Sequence, residues 1–69
     1  MLKNNLAILM AEKKIRIAEL HRLTGISANT LSSLYNEKTN MISFNTIEKI
    51  CEALNCEVGE LFKYIPSKN

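Results

Sequence analysis

Ala28, Asn29, Ser32, Ser33 and Asn36 are spaced so that a helix would gather them on one side. With a turn of about 100° per residue and Ala28 at zero, Ser32, Asn36, Asn29 and Ser33 fall at about 40°, 80°, 100° and 140°. On the same wheel Leu34, Leu31 and Tyr35 fall at about 240°, 300° and 340°. One side is apolar and is expected to face a core, while the other holds only Ala, Ser and Asn. The chemistry such a face offers is close-range hydrogen bonding. An Asn amide sets a donor beside an acceptor, and a Ser hydroxyl can serve as either. Base edges in a DNA groove carry both kinds of group, and Asn can bond an adenine at two points. A merely solvated helix face is usually rich in Lys, Glu, Gln and Arg, which cost less helix stability than Ser or Asn. The alternative is an exposed helix of poor propensity with no partner, so the surrounding chain has to decide.

The elements that position this face are legible nearby. Ile17–Asn36 reads as a short helix ending near Thr24, a tight turn at Gly25-Ile26, and a second helix opening at Ser27. Two short helices set at an angle by a glycine-containing turn form a helix-turn-helix, whose second helix lies in the major groove in DNA-binding versions. Apolar residues recur at helical spacing in five places. Leu2, Leu6, Leu9 and Met10 mark helix 1; Ile17, Leu20 and Thr24, with Leu23 beside them, mark helix 2; Ile26, Leu31, Leu34 and Tyr35 mark helix 3. Phe44, Ile47, Ile50, Cys51 and Leu54 give helix 4, and Val58, Leu61, Phe62 and Ile65 give helix 5, stopped by Pro66. Ser27 and Ser43 stand at N-cap positions, and Asn55 can take a left-handed helix end. Strand signals are absent. The expectation is an all-α fold, a compact five-helix bundle with a central helix-turn-helix at about residues 17–36, in one domain spanning residues 1–69.

Composition narrows the function. A chain of 69 residues allows one domain. The net charge is +2, with +3 carried by residues 1–40 and −1 by residues 41–69, where Lys49, Lys63 and Lys68 are outweighed by four glutamates. The half with the suspected DNA-reading unit is the basic half. Cys51 and Cys56 lack the paired spacing and nearby histidines of a zinc site, and His21 is the only histidine. The two cysteines are therefore expected as reduced core or near-core residues, and no metal or cofactor is expected. The N-terminal segment is too short and interrupted for a membrane span and lacks the long apolar stretch of a signal peptide, which points to the cytoplasm. No acid/base pair, activated nucleophile or phosphate-cradling glycine loop is apparent, so an enzyme is not expected.

These residues resemble the Cro and phage-repressor type of helix-turn-helix domain over about residues 4–64. The resemblance rests on Leu20, the Thr24-Gly25-Ile26-Ser27 turn, Asn29-Thr30-Leu31, Leu34-Tyr35, Ser43-Phe44-Asn45-Thr46-Ile47, and Leu54-Asn55-Cys56 followed by Leu61-Phe62. It implies a lambda-repressor-like DNA-binding fold. It also implies base contacts from Ala28, Asn29 and Ser33, to which the wheel adds Ser32. Phosphate contacts are implied for Ser27 and Thr30, and backbone contacts on the far strand for Asn36, Lys38 and Asn40. Three positions depart from the family pattern. His21 replaces a small residue and is expected at the rim in a structural role. Arg16 and Ile17 replace a Thr/Ser cap and a Gln, so that Arg16 substitutes a charge for a lost phosphate contact. Ala28 replaces a longer polar residue and leaves only packing, as against a thymine methyl. Arg22, Lys13 and Lys14 are further candidate phosphate partners.

The implied function is a sequence-specific transcriptional regulator, a repressor, acting on a palindromic site in double-stranded DNA as a homodimer. The dimer contact is expected from the helix 4–5 region, where Phe62, Tyr64 and Ile65 offer spare apolar surface. The alternative is a protein-binding adaptor or antitoxin-like module, since one fold can serve several functions.

Overall fold

The computed structural model describes residues 1–66. Lys68, which entered the charge balance above, lies outside the described residues. In chain order the elements are β1 (Leu2–Asn4), α1 (Leu6–Lys13), α2 (Ile17–Thr24), α3 (Ala28–Tyr35), α4 (Phe44–Leu54), α5 (Val58–Leu61) and β2 (Phe62–Tyr64). The five expected helices are present, and α2 and α3 coincide with the expected helix-turn-helix.

Each helix buries at least one large aliphatic side chain completely. Leu6 of α1, Leu20 of α2, Leu31 of α3, Ile50 and Leu54 of α4 and Leu61 of α5 meet in one core. Leu9, Met10, Ile26 and Leu34 complete it. The described residues bury no polar or charged side chain in this core.

The helix ends follow local chemistry. Ser27 Oγ accepts the Thr30 amide at 3.1 Å, and Ser43 Oγ accepts the Thr46 amide at 3.1 Å, so both serines are the expected N-caps. α4 ends at Asn55 in the left-handed region (φ 51°). α1 and the chain beyond α3 turn in the same way through Lys14 and Glu37, both at φ 57°. Each of these ends returns two amides to carbonyls of the last turn, which satisfies groups a helix would otherwise leave open. At α5 the Glu57 amide donates to Glu60 Oε1 at 2.9 Å, closing a capping box.

The all-α expectation is corrected at the two ends of the chain. β1 and β2 pair antiparallel, with Leu2 opposite Tyr64, Lys3 opposite Lys63 and Asn4 opposite Phe62. Leu2 therefore belongs to a strand rather than to α1, and Phe62 and Ile65 lie beyond α5 rather than on it. Ile65 precedes Pro66, and a residue before proline is disfavoured in the helical region. Phe62 is already extended (φ −124°, ψ 140°), in a segment whose aromatic residues favour strand. The Asn4 side chain anchors this sheet to the helices. Its Nδ2 donates to Leu34 O at 2.7 Å, and its Oδ1 accepts the Leu6 amide at 2.8 Å. A second correction concerns the helix 4 stripe: Phe44, at the first position of α4, is 85% exposed. Tyr35, Val58 and Ile65 are exposed as well. A domain this small has too little interior to take every apolar residue that helical spacing offers.

Asn4→Ala should lower unfolding stability by about 1–3 kcal/mol, since it deletes one hydrogen bond to α3 and one to α1. Urea unfolding of the variant checks this, with Asn5→Ala, which loses a single long bond, expected to cost less. The two glycines should respond in opposite directions. Gly25 lies at φ 76°, so Gly25→Ala is strained despite open space around it, whereas Gly59 lies within α5, where an added Cβ would meet nothing within 4 Å. Thermal melts should show Gly59→Ala gaining about 0.5–1 kcal/mol and Gly25→Ala losing about 1 kcal/mol or more.

Candidate nucleic-acid interface

The angle between α2 and α3 is fixed by a turn in which the polar groups answer one another. Thr24 Oγ1 donates to Leu20 O at 2.6 Å and accepts the Ile26 amide at 3.1 Å. Gly25 closes α2 in the left-handed region and sends its amide to His21 O at 2.8 Å. His21 Nδ1–H donates to Ile26 O at 2.5 Å. The imidazole thus lies at the rim and ties the last turn of α2 to the turn itself, the structural role expected of it. Ile26 then dips into the core, and Ser27 starts α3.

α3 presents two unlike sides. Leu31 and Leu34 are buried, while Ala28, Asn29 and Thr30 are exposed and Ser32 and Ser33 half-buried. Asn29, Thr30 and Ser33 form one wall of an open groove of about 470 Å³. The opposite wall comes from Lys38, Thr39, Met41, Ser43 and Thr46. Lys38 is held there because its amide donates to Ser33 O at 2.8 Å, folding the chain back past the end of α3. Among the described residues no carboxylate lines the groove, which holds Lys38 and opens beside the positive N-terminal end of α4.

The remaining candidate residues are distributed around this groove. Ser32 and Asn36 lie on α3's other flank and bond each other: Asn36 Nδ2 donates to Ser32 O at 2.9 Å, with a longer approach of 3.4 Å to Ser32 Oγ. Ser27 and Thr30 join their hydroxyls at 2.8 Å, so Ser27 is engaged as a cap. Asn40 is exposed in the loop next to the groove. Arg16 and Ile17 are not in the groove with Asn29. They border a separate hollow of about 680 Å³ between α1, the start of α2 and Tyr35. Arg16 occupies the N-cap position of α2 and makes no side-chain cap bond there, so a side chain does not cover the first amides of α2. Arg22 pairs with Glu19 at 3.7 Å on the outside of α2, an exposed pair of little energetic weight.

Sequence reasoning missed Thr39, Met41, Ser43 and Thr46 as groove residues. Ser43 was legible only as a cap. The signal available was a repetition: Ser43-x-x-Thr46 copies Ser27-x-x-Thr30, and in both pairs the hydroxyls meet, at 2.9 Å and 2.8 Å. Two helices started by the same device open onto one groove.

Comparison with known proteins agrees with this geometry. The family model described as the Cro/C1-type HTH DNA-binding domain matches residues 5–67. The chain belongs to that helix-turn-helix family. It is 37% identical over 60 residues to an uncharacterized HTH-type transcriptional regulator, YozG, of Bacillus subtilis (strain 168), covering 87% of this chain and 71% of that protein. Among solved structures it is similar to a putative DNA-binding protein from Bacteroides fragilis, at a TM-score of 0.80 and 28% identity over 91% of this chain and all of that one. Among the described residues no helix is long and apolar enough to cross a membrane, and no group of three or more His, Cys, Asp or Glu could hold a metal ion.

Ser27→Ala should cost about 1 kcal/mol of stability through loss of the α3 cap. Chemical denaturation separates this loss from any change in ligand affinity, and an unchanged midpoint would show that Thr30 alone secures the start of α3.

Proposed function

We propose that the chain is a sequence-specific transcriptional regulator that places α3 in the major groove of DNA. The observation that carries this reading is the uncharged outer side of α3, where Asn29 and Ser33 share an acid-free groove with Lys38. Membership of the Cro/C1-type family and the likeness to a protein named as a transcriptional regulator support it.

In this reading Asn29 and Ser33 hydrogen-bond base edges, with Ser32 beside them, and Ala28 packs against a thymine methyl. Short side chains let the helix backbone approach the bases closely. Phosphates take up the surrounding positions. One strand passes between Thr30 and the opposite wall of Lys38 and the N-terminus of α4, since amide dipoles favour an anion there. Asn40 lies beside that path, while Asn36 meets the phosphate backbone from the flank of α3 that it shares with Ser32. The uncapped start of α2 at Arg16 and Ile17 receives a phosphate on the other side, with Arg22 leaving its weak pair with Glu19 to join it. Three to five effective phosphate contacts per copy correspond to a salt slope of about −0.9 each.

A single copy reads only a few base pairs and binds weakly. We therefore propose a homodimer on a palindromic operator, with the two copies of α3 about 34 Å apart, one turn of the duplex. Tyr64 and Ile65, exposed beside Leu2 on the terminal sheet, supply the apolar contact between copies. Sedimentation that finds monomers both free and on a single-site duplex would reject the dimer. We propose the repressor role for it, since occupancy of an operator is by itself enough to exclude a polymerase.

Selection of bound sequences from a random DNA pool tests the reading as a whole. A preferred palindrome with a steep salt dependence is the expected result. Absence of binding at low salt would favour an adaptor or antitoxin-like module on the same fold. Asn29→Ala should weaken the selected site by about 1–3 kcal/mol and leave random DNA nearly unaffected. Lys38→Ala should weaken every sequence alike and flatten the salt slope by about 0.9. Identical behaviour of the two variants in salt titrations would contradict this division between base and phosphate contacts.

A further inference from the structure

The end of α4 sets two thiols side by side. Asn55, at φ 51° and ψ 51°, reverses the chain. Its amide donates to Glu52 O at 3.3 Å, and the Cys56 amide donates to Cys51 O at 3.0 Å. This pair of bonds defines a Schellman turn, in which the residues at the two ends of the six-residue segment come into side-chain contact. Aliphatic residues usually make that contact. Here both positions are free, half-buried cysteines. The groups acting on the Cys56 thiol are Cys51, Glu60 and Lys13. Burial first, then Cys51 and Glu60, push its pKa up to about 11, against an opposing pull from Lys13. The Cys56 thiol is therefore kept protonated at neutral pH, and its nucleophilic thiolate form is scarce there.

We propose that Cys51 and Cys56 form a dithiol site that closes to an intrachain disulfide on exchange with a low-molecular-weight disulfide. A disulfide needs two Cα atoms close together with converging Cβ directions. The amide–carbonyl bond between the same two residues supplies the closeness, and the turn supplies the convergence. One cysteine thiolate attacks a sulfur of the reagent and releases one small thiol. The other cysteine attacks the resulting mixed disulfide and releases the second. Two cysteine S–H bonds are lost and one S–S bond is gained, and the reagent is reduced to two thiols that carry both protons. The site is independent of the DNA reading, because neither cysteine lines the groove of α3.

The test equilibrates the full chain in buffers of oxidised and reduced glutathione, with and without urea, and measures intact and peptide masses. The folded chain should lose two hydrogens and carry a Cys51–Cys56 bond. Its effective thiol concentration should exceed that of the urea-unfolded chain by at least about tenfold, because the fold and the bond then favour each other. Cys51→Ser and Cys56→Ser should each stop at a single mixed disulfide with glutathione. Glutathione on both cysteines, interchain dimers, or a folded chain that stays reduced where the unfolded chain closes would each overturn the proposal. An unfolded chain that closes as readily as the folded one would overturn it too.

Discussion

The burial of Leu31 and Leu34 is the constraint on which the rest depends. α3 has eight residues, four of them Ser, Asn or Thr, and a helix that short with that composition is marginal alone in water. It persists because its two leucines enter the core beside Leu20 and Ile50 and because Ser27 caps its start. Helix formation is thus supplied from one side only. The other side carries no structural duty at Ala28, Asn29 or Ser33, and those positions are free to hold side chains that a self-standing helix would avoid.

The rest of the domain serves to hold that arrangement at a fixed angle. Thr24, Gly25 and His21 satisfy the polar groups of the turn between α2 and α3. At the other end of α3, Asn4 reaches from β1 to Leu34 O, so the terminal sheet grips the helix from behind. The Lys38 amide returns to Ser33 O and brings a cation beside the polar face. The result is a short-armed surface with few charges of its own. Affinity for a polyanion would come mainly from amide dipoles and a handful of cations, and discrimination from the two side chains that can approach most closely.

What the sequence revealed about this fold was what depends on neighbours along the chain. The caps at Ser27 and Ser43, the left-handed Asn55 and the Gly25 turn were all legible because each is decided within about six residues. The terminal sheet was not. Its strands have three residues each, too few for alternation to register, and they pair across nearly the whole chain. Phe44 was misplaced because helical spacing assigns a direction but does not limit how much a small core can hold. At the candidate site, Asn29, Ser33 and Lys38 were legible from the wheel and from family resemblance. Thr39, Met41 and Thr46 were not, since only the packing of α4 beside α3 brings them to the same groove. The separation of Arg16 and Ile17 from that groove also comes from tertiary structure.

The central claim is that the outer side of α3 meets nucleobases, and nuclear magnetic resonance of the isotopically labelled chain bound to a selected duplex tests it most directly. The account predicts that the Asn29 side-chain amide shifts strongly and is protected from solvent exchange on that duplex, that the Ser33 backbone amide shifts with it, and that both respond when a single contacted base pair is changed. Resonances of α3 that stay at their free positions while those elsewhere in the chain move would contradict it.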